Sequence, residues 1–417
     1  MANSYRNIRM ILNAVIAEIK NQSVMIPNVD RQLDKEGEFR RKGDTIYVRR
    51  PNKYEAQDGP DMTGKITEIQ EAEAPVTLDV HKSIAFNLTQ KELALNITDP
   101  ALREQHIMPA ANSLTQAIES EIARKYYQVA NFFGTPGTTP GSTPGVRGSR
   151  EVGEAMIKMK NESVEMMDIN GFYDPNATLF IGDSLTTVFN EAIVKRGVEK
   201  AAFLRAANVT GLESNSIANH TVGNYTGSTP LVNGAAQDVT YESSKDTISQ
   251  TIITDGWTAS ITGVLNRGDV IQFDGVNALQ ARTYEDLGRL RDFTVLDVVD
   301  SDGAGNATIT ISPAIVTTGD YRNVSAAPAD NAPITVVSGA PNSVHPQNMI
   351  WQRRACTLAT ARLQAPDATV SNSVTMDGIT LTFAGGGDIL KYETVRRLDI
   401  LFGVKFQLPE WAVRHTG

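Results

Sequence analysis

Five histidines, at positions 81, 106, 220, 345 and 415, and a single cysteine, Cys356, are the side chains from which a metal centre or a nucleophilic site would have to be built. A metal site read from sequence shows ligands in short paired motifs, so that one backbone element presents two of them together. The five histidines are scattered, with no pair at that spacing. Cys356 sits among apolar residues without a sequence-local partner, the setting of a buried structural thiol. No Gly-x-Ser-x-Gly elbow and no His-Glu-x-x-His motif occurs. Asp300-x-Asp302-Gly opens like a calcium loop, but Ala304 stands at the fifth position and Ile311 where the twelfth should be Glu, which leaves a plain β-turn. Residues 134–149, GTPGTTPGSTPGVRGS, are Gly-rich yet lack the Gly-Lys-Ser/Thr ending that holds a phosphate. Carboxylates such as Asp183 and Asp255 are not singled out by any spacing for acid–base work. The expectation is a chain without catalytic residues, cofactor or metal.

Composition narrows the class further. The 417 residues are 41% hydrophobic and 21% charged, enough for a sizeable core and for two or three domains. One cysteine excludes an internal disulfide framework and fits a reducing compartment. Residues 8–19 are apolar on one face only and include Arg9 and Glu18, unlike a signal h-region or a membrane span. A soluble, intracellularly made protein is expected. The net charge of −9 argues against a nucleic-acid reader, whose affinity rests on phosphate neutralisation by a basic face. The charge is uneven: residues 1–50 hold ten Lys/Arg against six Asp/Glu, and residues 228–341 hold six against fourteen. The acidic excess is either a solvated face or a surface that meets basic residues on a neighbouring copy.

Periodicity places the elements. Ile8, Ile11, Leu12, Val15, Ile16 and Ile19 recur on one helical face, so an amphipathic helix opens the chain. Residues 37–98 read as a long charged hairpin or loop: Ile46 and Val48 alternate on one side, and Val76, Leu78, Val80, Ile84, Phe86 and Leu88 on the other. A ribbon of that kind buries no core of its own and needs something to lie against. Asp99-Pro100 is a helix start, and Leu114, Ile118, Ile122, Tyr126 and Val129 give the longest helical stripe, with a kink or restart at Pro109. A helix around 151–168, a strand at 177–181 and a second helix opened by Gly182-Asp183-Ser184 follow the Gly/Pro loop. Residues 205–260 are rich in Asn, Thr, Ser and Gly. The Asn-x-Ser/Thr triplets at Asn208, Asn219 and Asn224 are composition, not glycosylation sites, where no signal peptide is read.

Residues 263–275, GVLNRGDVIQFDG, begin a small antiparallel β unit. Gly263, Gly268 and Gly275 punctuate it, and Val270, Ile271 and Phe273 fill a half-buried pleat. A Val-rich strand from Phe293, the turn 300–306 and the strand Ala307-Thr-Ile-Thr-Ile-Ser before Pro313 complete it. This order of elements resembles the insertion domain of P-22-like bacteriophage coat proteins. The segment Gly43-Asp-Thr-Ile-Tyr-Val-Arg-Arg-Pro51 resembles the Gly-Asp-x-hydrophobic…Arg-Pro pattern of the same family. Residues 394–406, with a Leu-x-Gly-like centre, resemble its final sheet strand.

The resemblance implies an α+β, HK-97-like capsid fold with an inserted antiparallel β-barrel-like domain. Its implied parts are an N-terminal arm (1–36), an extended loop with peripheral strands (37–98), a spine helix and flexible loop (99–150), an axial α/β domain (151–227), the inserted β domain (228–341) and closing strands (342–417). It implies a major capsid protein that self-assembles into an icosahedral shell around phage DNA. The partners implied are further copies of the chain, a scaffolding protein, a portal and packaged DNA without sequence-specific contact, with no membrane. The implied location is the virion capsid, after synthesis in host cytoplasm. Candidate subunit contacts are Arg40, Arg41, Arg49 and Arg50, the acids Glu68 and Glu71, and Asp238, Glu242 and Asp246 in the insertion. A β-rich phage tail or adhesion module is the alternative, since it would account for the Thr/Asn-rich middle.

Overall fold

Leu12, Val15, Ile16 and Ile19 all lie fully buried along one side of the helix Ala2–Gln22, as their spacing requires. They are seen in a computed structural model of the chain that describes residues 2–33, 44–54, 59–60, 70–89, 108–142, 148–186, 207–364, 370–388 and 393–416. Arg40, Arg41, Glu68, His106 and the 99–107 start of the expected spine helix lie outside those residues. The chain divides into two compact units: residues 1–47, 75–122 and 356–405, and residues 48–74, 123–355 and 406–417. Among the described residues no helix is long and apolar enough to cross a membrane.

The first unit is a sheet flanked by two helices. Its strands run in the order Asp30–Leu33, Cys356–Ala361, Glu393–Phe406, Ile379–Asp388, Val370–Met376, with Val80–Thr89 also on Glu393–Phe406. The N-terminal helix packs on the hairpin 370–388, where Lys20 pairs with Asp377 at the turn. The helix Met108–Arg124 buries Leu114, Ile118 and Ile122 of the expected stripe, with Ala111 beside them, but the α-helix ends sooner than expected: Tyr126 lies in the 3₁₀ turn Lys125–Gln128, and Val129 follows in extended backbone. Glu119 on that helix is buried and accepts hydrogen bonds from the backbone N–H of Met25, at 2.8 Å, and of Val24. Burial pushes its carboxyl above the usual range against the pull of those donors.

The expected 37–98 hairpin is two different things. Thr45–Arg49 pairs with Glu73–Thr77 as a two-stranded ribbon, whereas Val80–Thr89 leaves it for the sheet just described. Alternate residues Ala72, Ala74, Val76 and Leu78 are buried, so the root of the ribbon has one covered face.

The second unit holds an α/β lobe and a barrel. The lobe sheet runs Phe132–Phe133, Ala412–Thr416, Val344–Gln352, Ile169–Tyr173, Thr210–Glu213. The helices Gly148–Asn161 and Pro175–Thr186 contribute Val152, Met156, Met159, Ala177 and Ile181 to its core. Trp351 stacks on Phe172, ring centroids 3.9 Å apart, and meets Phe406 edge-on at 5.8 Å. One expectation is overturned here: residues 177–181 are helix, not strand, and the strand is Ile169–Tyr173. Pro175 suits the first helical turn, which begins after Asp174, and burial of Ala177, Thr178 and Ile181 with Leu179 and Phe180 exposed is a helical face. Apolar composition suggested a strand, and packing on the sheet decided for the helix.

The inserted β unit closes on itself. Its six strands run Ile334–Val336, Val270–Phe273, Phe293–Val295, Ala307–Ser312, Gln250–Asp255, Leu231–Val232. The ends of that path meet through Val232 N–H to the Ala332 carbonyl and Ile334 N–H to the Pro230 carbonyl, each 3.0 Å. Closure removes the unpaired edges that would otherwise recruit other strands. Val232, Ile252, Ile271, Phe273, Phe293, Val295, Ile309, Ile311 and Ile334 fill its interior, with Phe273 and Phe293 centroids 5.3 Å apart. The turn after Asp300 is held by Asp302, which accepts the backbone N–H of Ala304 and Asn306 at 2.8 Å.

Candidate functional site at the stem and root of the inserted barrel

The chain leaves the lobe through the strand Asn219–Thr221 and returns through Val344–Gln352. These two strands pair antiparallel with His220 directly opposite His345. Histidines remote in sequence thus become cross-strand neighbours at the stem of the barrel, their rings edge-on at 5.8 Å. Both are buried.

The barrel reaches back to this stem with Asp269, which is fully buried and precedes the strand Val270–Phe273. Its Oδ1 takes hydrogen bonds from His220 Nε2 at 2.8 Å and Ser338 Oγ at 2.9 Å. Its Oδ2 takes the backbone N–H of Asn266 at 2.7 Å and of Gly223 at 3.0 Å. The other nitrogen of His220 lies 3.0 Å from the Tyr126 hydroxyl. Gly268 permits this approach. It has φ +98°, and a Cβ there would come 2.7 Å from the Tyr126 ring.

Arg414, on the lobe's strand Ala412–Thr416, donates to the Gly268 carbonyl at 2.7 Å and to Thr294 Oγ1 at 3.3 Å. Burial lowers its guanidinium to about 10, which still leaves it charged at neutral pH. Two further ion pairs join helix Gly148–Asn161 and the turn after it to the inserted unit. Lys158 Nζ sits 2.5 Å from Asp292, which also accepts the Phe132 N–H at 3.1 Å and Gln272 Nε2 at 2.7 Å. Arg291 donates to Glu162 at 2.9 Å. Such pairs fix one geometry more than they add stability, because desolvation offsets most of the attraction.

A different set of contacts holds the ribbon root. Arg50 donates through Nε to the Gln407 carbonyl at 2.9 Å and through Nη1 to the Lys245 carbonyl at 2.6 Å, just past the helical turn Tyr241–Ser244. Lys53 N–H donates to the Tyr321 hydroxyl at 3.1 Å, and Tyr321 stacks on Tyr241 at 3.5 Å. Glu73 N–H donates to Asp246 Oδ1 at 3.1 Å. Replacing Arg50 with alanine leaves two carbonyls without their charged donor. The expected loss is about 1–2 kcal/mol in urea unfolding, with Arg50→Lys recovering only part because one ammonium does not reproduce the fork.

The sequence-predicted contact residues therefore divide. Arg50 and Asp246 are brought to one place but are engaged inside a single chain. Glu242 is exposed and pairs with Lys245 at 2.7 Å, and Asp238 accepts the Thr317 hydroxyl. Arg49 and Glu71 are exposed. What sequence reasoning missed is the stem. Only the Gly268-Asp269 step ahead of an apolar strand hinted that a carboxylate was held in a special place.

His415 is a separate buried histidine in the lobe, 3.1 Å from the Tyr173 hydroxyl. Burial lowers it from 6.5 to about 4. The unfolded chain then takes up the proton first as pH falls. Stability is full above about 6.5, declines between about 6.5 and about 4, and levels off below. The loss from this group is on the order of 3 kcal/mol. Urea unfolding from pH 7.5 to 4 should show that slope reduced in His415→Gln.

Among the described residues no His, Cys, Asp and Glu side chains group so as to hold a metal ion. The chemistry of the site is attachment: buried charge pairs that bolt one folded element to another. Comparison with known proteins gives the class, that of phage coat proteins. The chain is 23% identical over 420 residues to the major capsid protein of Acyrthosiphon pisum secondary endosymbiont phage 1, covering 96% of each. Residues 1–417 match the family model of the P22 coat protein, gene protein 5, and the chain belongs to that family. Similar solved structures include one of Mycobacterium phage Che8, at 10% identity and TM-score 0.45, covering 94% of this chain and 91% of that one. The CUS-3 coat protein I-domain matches at 27% identity and TM-score 0.20, covering 27% of this chain and 97% of that one. The chain is a phage major capsid protein, one of many copies in the virion shell, and the tail or adhesion alternative falls away.

Proposed function

We propose that copies of this chain, made in host cytoplasm, assemble around a scaffolding protein and a portal into an icosahedral shell, which then takes up DNA without sequence-specific contact. The observation that carries the reading is the match to a coat-protein family over the whole chain. The acidic balance of 48 Asp/Glu to 39 Lys/Arg supports a container that does not grip its contents through phosphate neutralisation. Each contact between copies is modest, so misplaced subunits leave, and closure supplies stability through multivalency. No catalytic residue is assigned in this reading.

Arg40, Arg41, Arg49, Glu68, Glu71, Asp238 and Glu242 remain the charged candidates for contacts between copies. Arg50 and Asp246 act first within the subunit, at the ribbon root. Electron microscopy of the chain expressed alone and with its phage's scaffolding protein tests the reading. Closed shells support it, and small discrete oligomers under both conditions refute it. Asp246→Lys separates the two roles of that acid. Normal shells at low and high salt would exclude it as a contact between copies.

A further inference from the structure

His345 is the one member of the stem cluster with no hydrogen bond. Its ring is 3% exposed, and neither nitrogen finds a partner. It lies between groups that repel a positive charge. His220 faces it across the strand pair, and Arg414 faces it from the lobe's strand Ala412–Thr416. On the barrel side it packs near Gly339, with Cε1 3.2 Å from where a Cβ of that glycine would stand.

Among the described residues, the negative charge that acts on it is Asp269, and both its oxygens are already taken, two donors on each. Tyr126 occupies the far nitrogen of His220, and Arg267 lies over the Tyr127 ring at 3.6 Å, adding no acceptor. An imidazolium at His345 would present two N–H donors where neither nitrogen has a partner, beside a fixed guanidinium.

We propose that the stem is a protonation-gated lock: with His345 uncharged the barrel is held to the lobe as one body, and proton uptake at His345 frees the stem strands and the Asp269 clasp while the barrel stays folded. The two stem strands are the chain's way into and out of the barrel, so a change there acts on the attachment. The barrel closes through its own hydrogen bonds and has its own apolar interior, so it does not depend on the stem for its fold.

The size of the effect follows from linkage. Burial, with His220 and Arg414 beside it, lowers His345 from 6.5 to about 4. If the freed imidazole titrates at its ordinary value, stem opening rises about 30-fold between pH 7.5 and pH 5. Amide hydrogen exchange with mass spectrometry on the full chain at those two pH values, corrected for intrinsic rates, reads it directly. Peptides over 219–224 and 339–346 should gain about 30-fold, while 250–255 and 307–312 stay protected. In His345→Gln, neutral at every pH, the acid response of the stem should vanish. An undiminished response in folded His345→Gln overturns the proposal, as does a simultaneous rise of stem and barrel strands. Histidine-labelled wild-type chain gives a second reading by NMR that needs no variant. A resonance still neutral at pH 5 that vanishes with stem opening supports the lock, and titration of every histidine near 6.5 overturns it.

Discussion

Asp269→Ala is expected to destabilise the subunit by about 3–5 kcal/mol, because it leaves several buried donors unpaired, each costing about 1–3 kcal/mol. The alanine leaves His220 Nε2, Ser338 Oγ and the N–H groups of Asn266 and Gly223 without their acceptor in a site closed to water. Those four donors come from the outgoing stem, the loop before Val270 and the exit from the barrel, so the lesion loosens the attachment on several sides at once. Asp269→Asn keeps the shape but turns one acceptor into a donor facing donors, and should recover little. Urea unfolding followed by tryptophan fluorescence measures the loss. Against a typical domain stability of about 5–15 kcal/mol, the alanine variant should accumulate poorly as soluble chain. A loss below about 1 kcal/mol would mean that the cluster is not closed to water as the structure has it.

The barrel was legible because its signals are local. Gly268 and Gly275 at positive φ, the alternation in 307–312 and the turn at 300–306 all act over a few residues. The stem was not legible for the opposite reason. His220, Asp269, His345 and Arg414 converge only because the chain leaves the lobe, builds a barrel and returns beside its own exit. No period or spacing encodes that meeting. The same limit explains residues 177–181, where an apolar run fits helix or strand and only the packing of Ala177 and Ile181 on the lobe core decides. Among the candidate contacts, charge type was readable but commitment was not. Arg50 and Asp246 carry opposite charges that sequence could offer equally to a neighbour or to their own chain.

The division of the contact residues bears on how the extended loop would serve a shell. Its root is tied to its own subunit through Arg50, Lys53 and Glu73, and the sequence that joins the two sides of the root, EAQDGPDMTGKITEI at 55–69, is mostly polar and includes Gly59, Pro60 and Gly64. A segment of that composition costs conformational entropy to order, and the expectation is that a neighbouring copy in the shell offsets it. Tyr54 and Gln70 line one cleft, so their ends lie close enough to be joined. Replacing residues 55–69 with a short Gly-Ser link therefore keeps the Arg50 N–H to Ala72 carbonyl bond of 2.9 Å and the Glu73 to Asp246 bond intact. The expected product is a folded, soluble subunit with an unchanged urea midpoint that forms no closed shells with scaffolding protein present. A wider deletion of 52–74 would remove the root as well and confuse folding with assembly. Normal shells from the short-linked chain would show that the loop is not a contact between copies, and would return that role to the acids of the insertion.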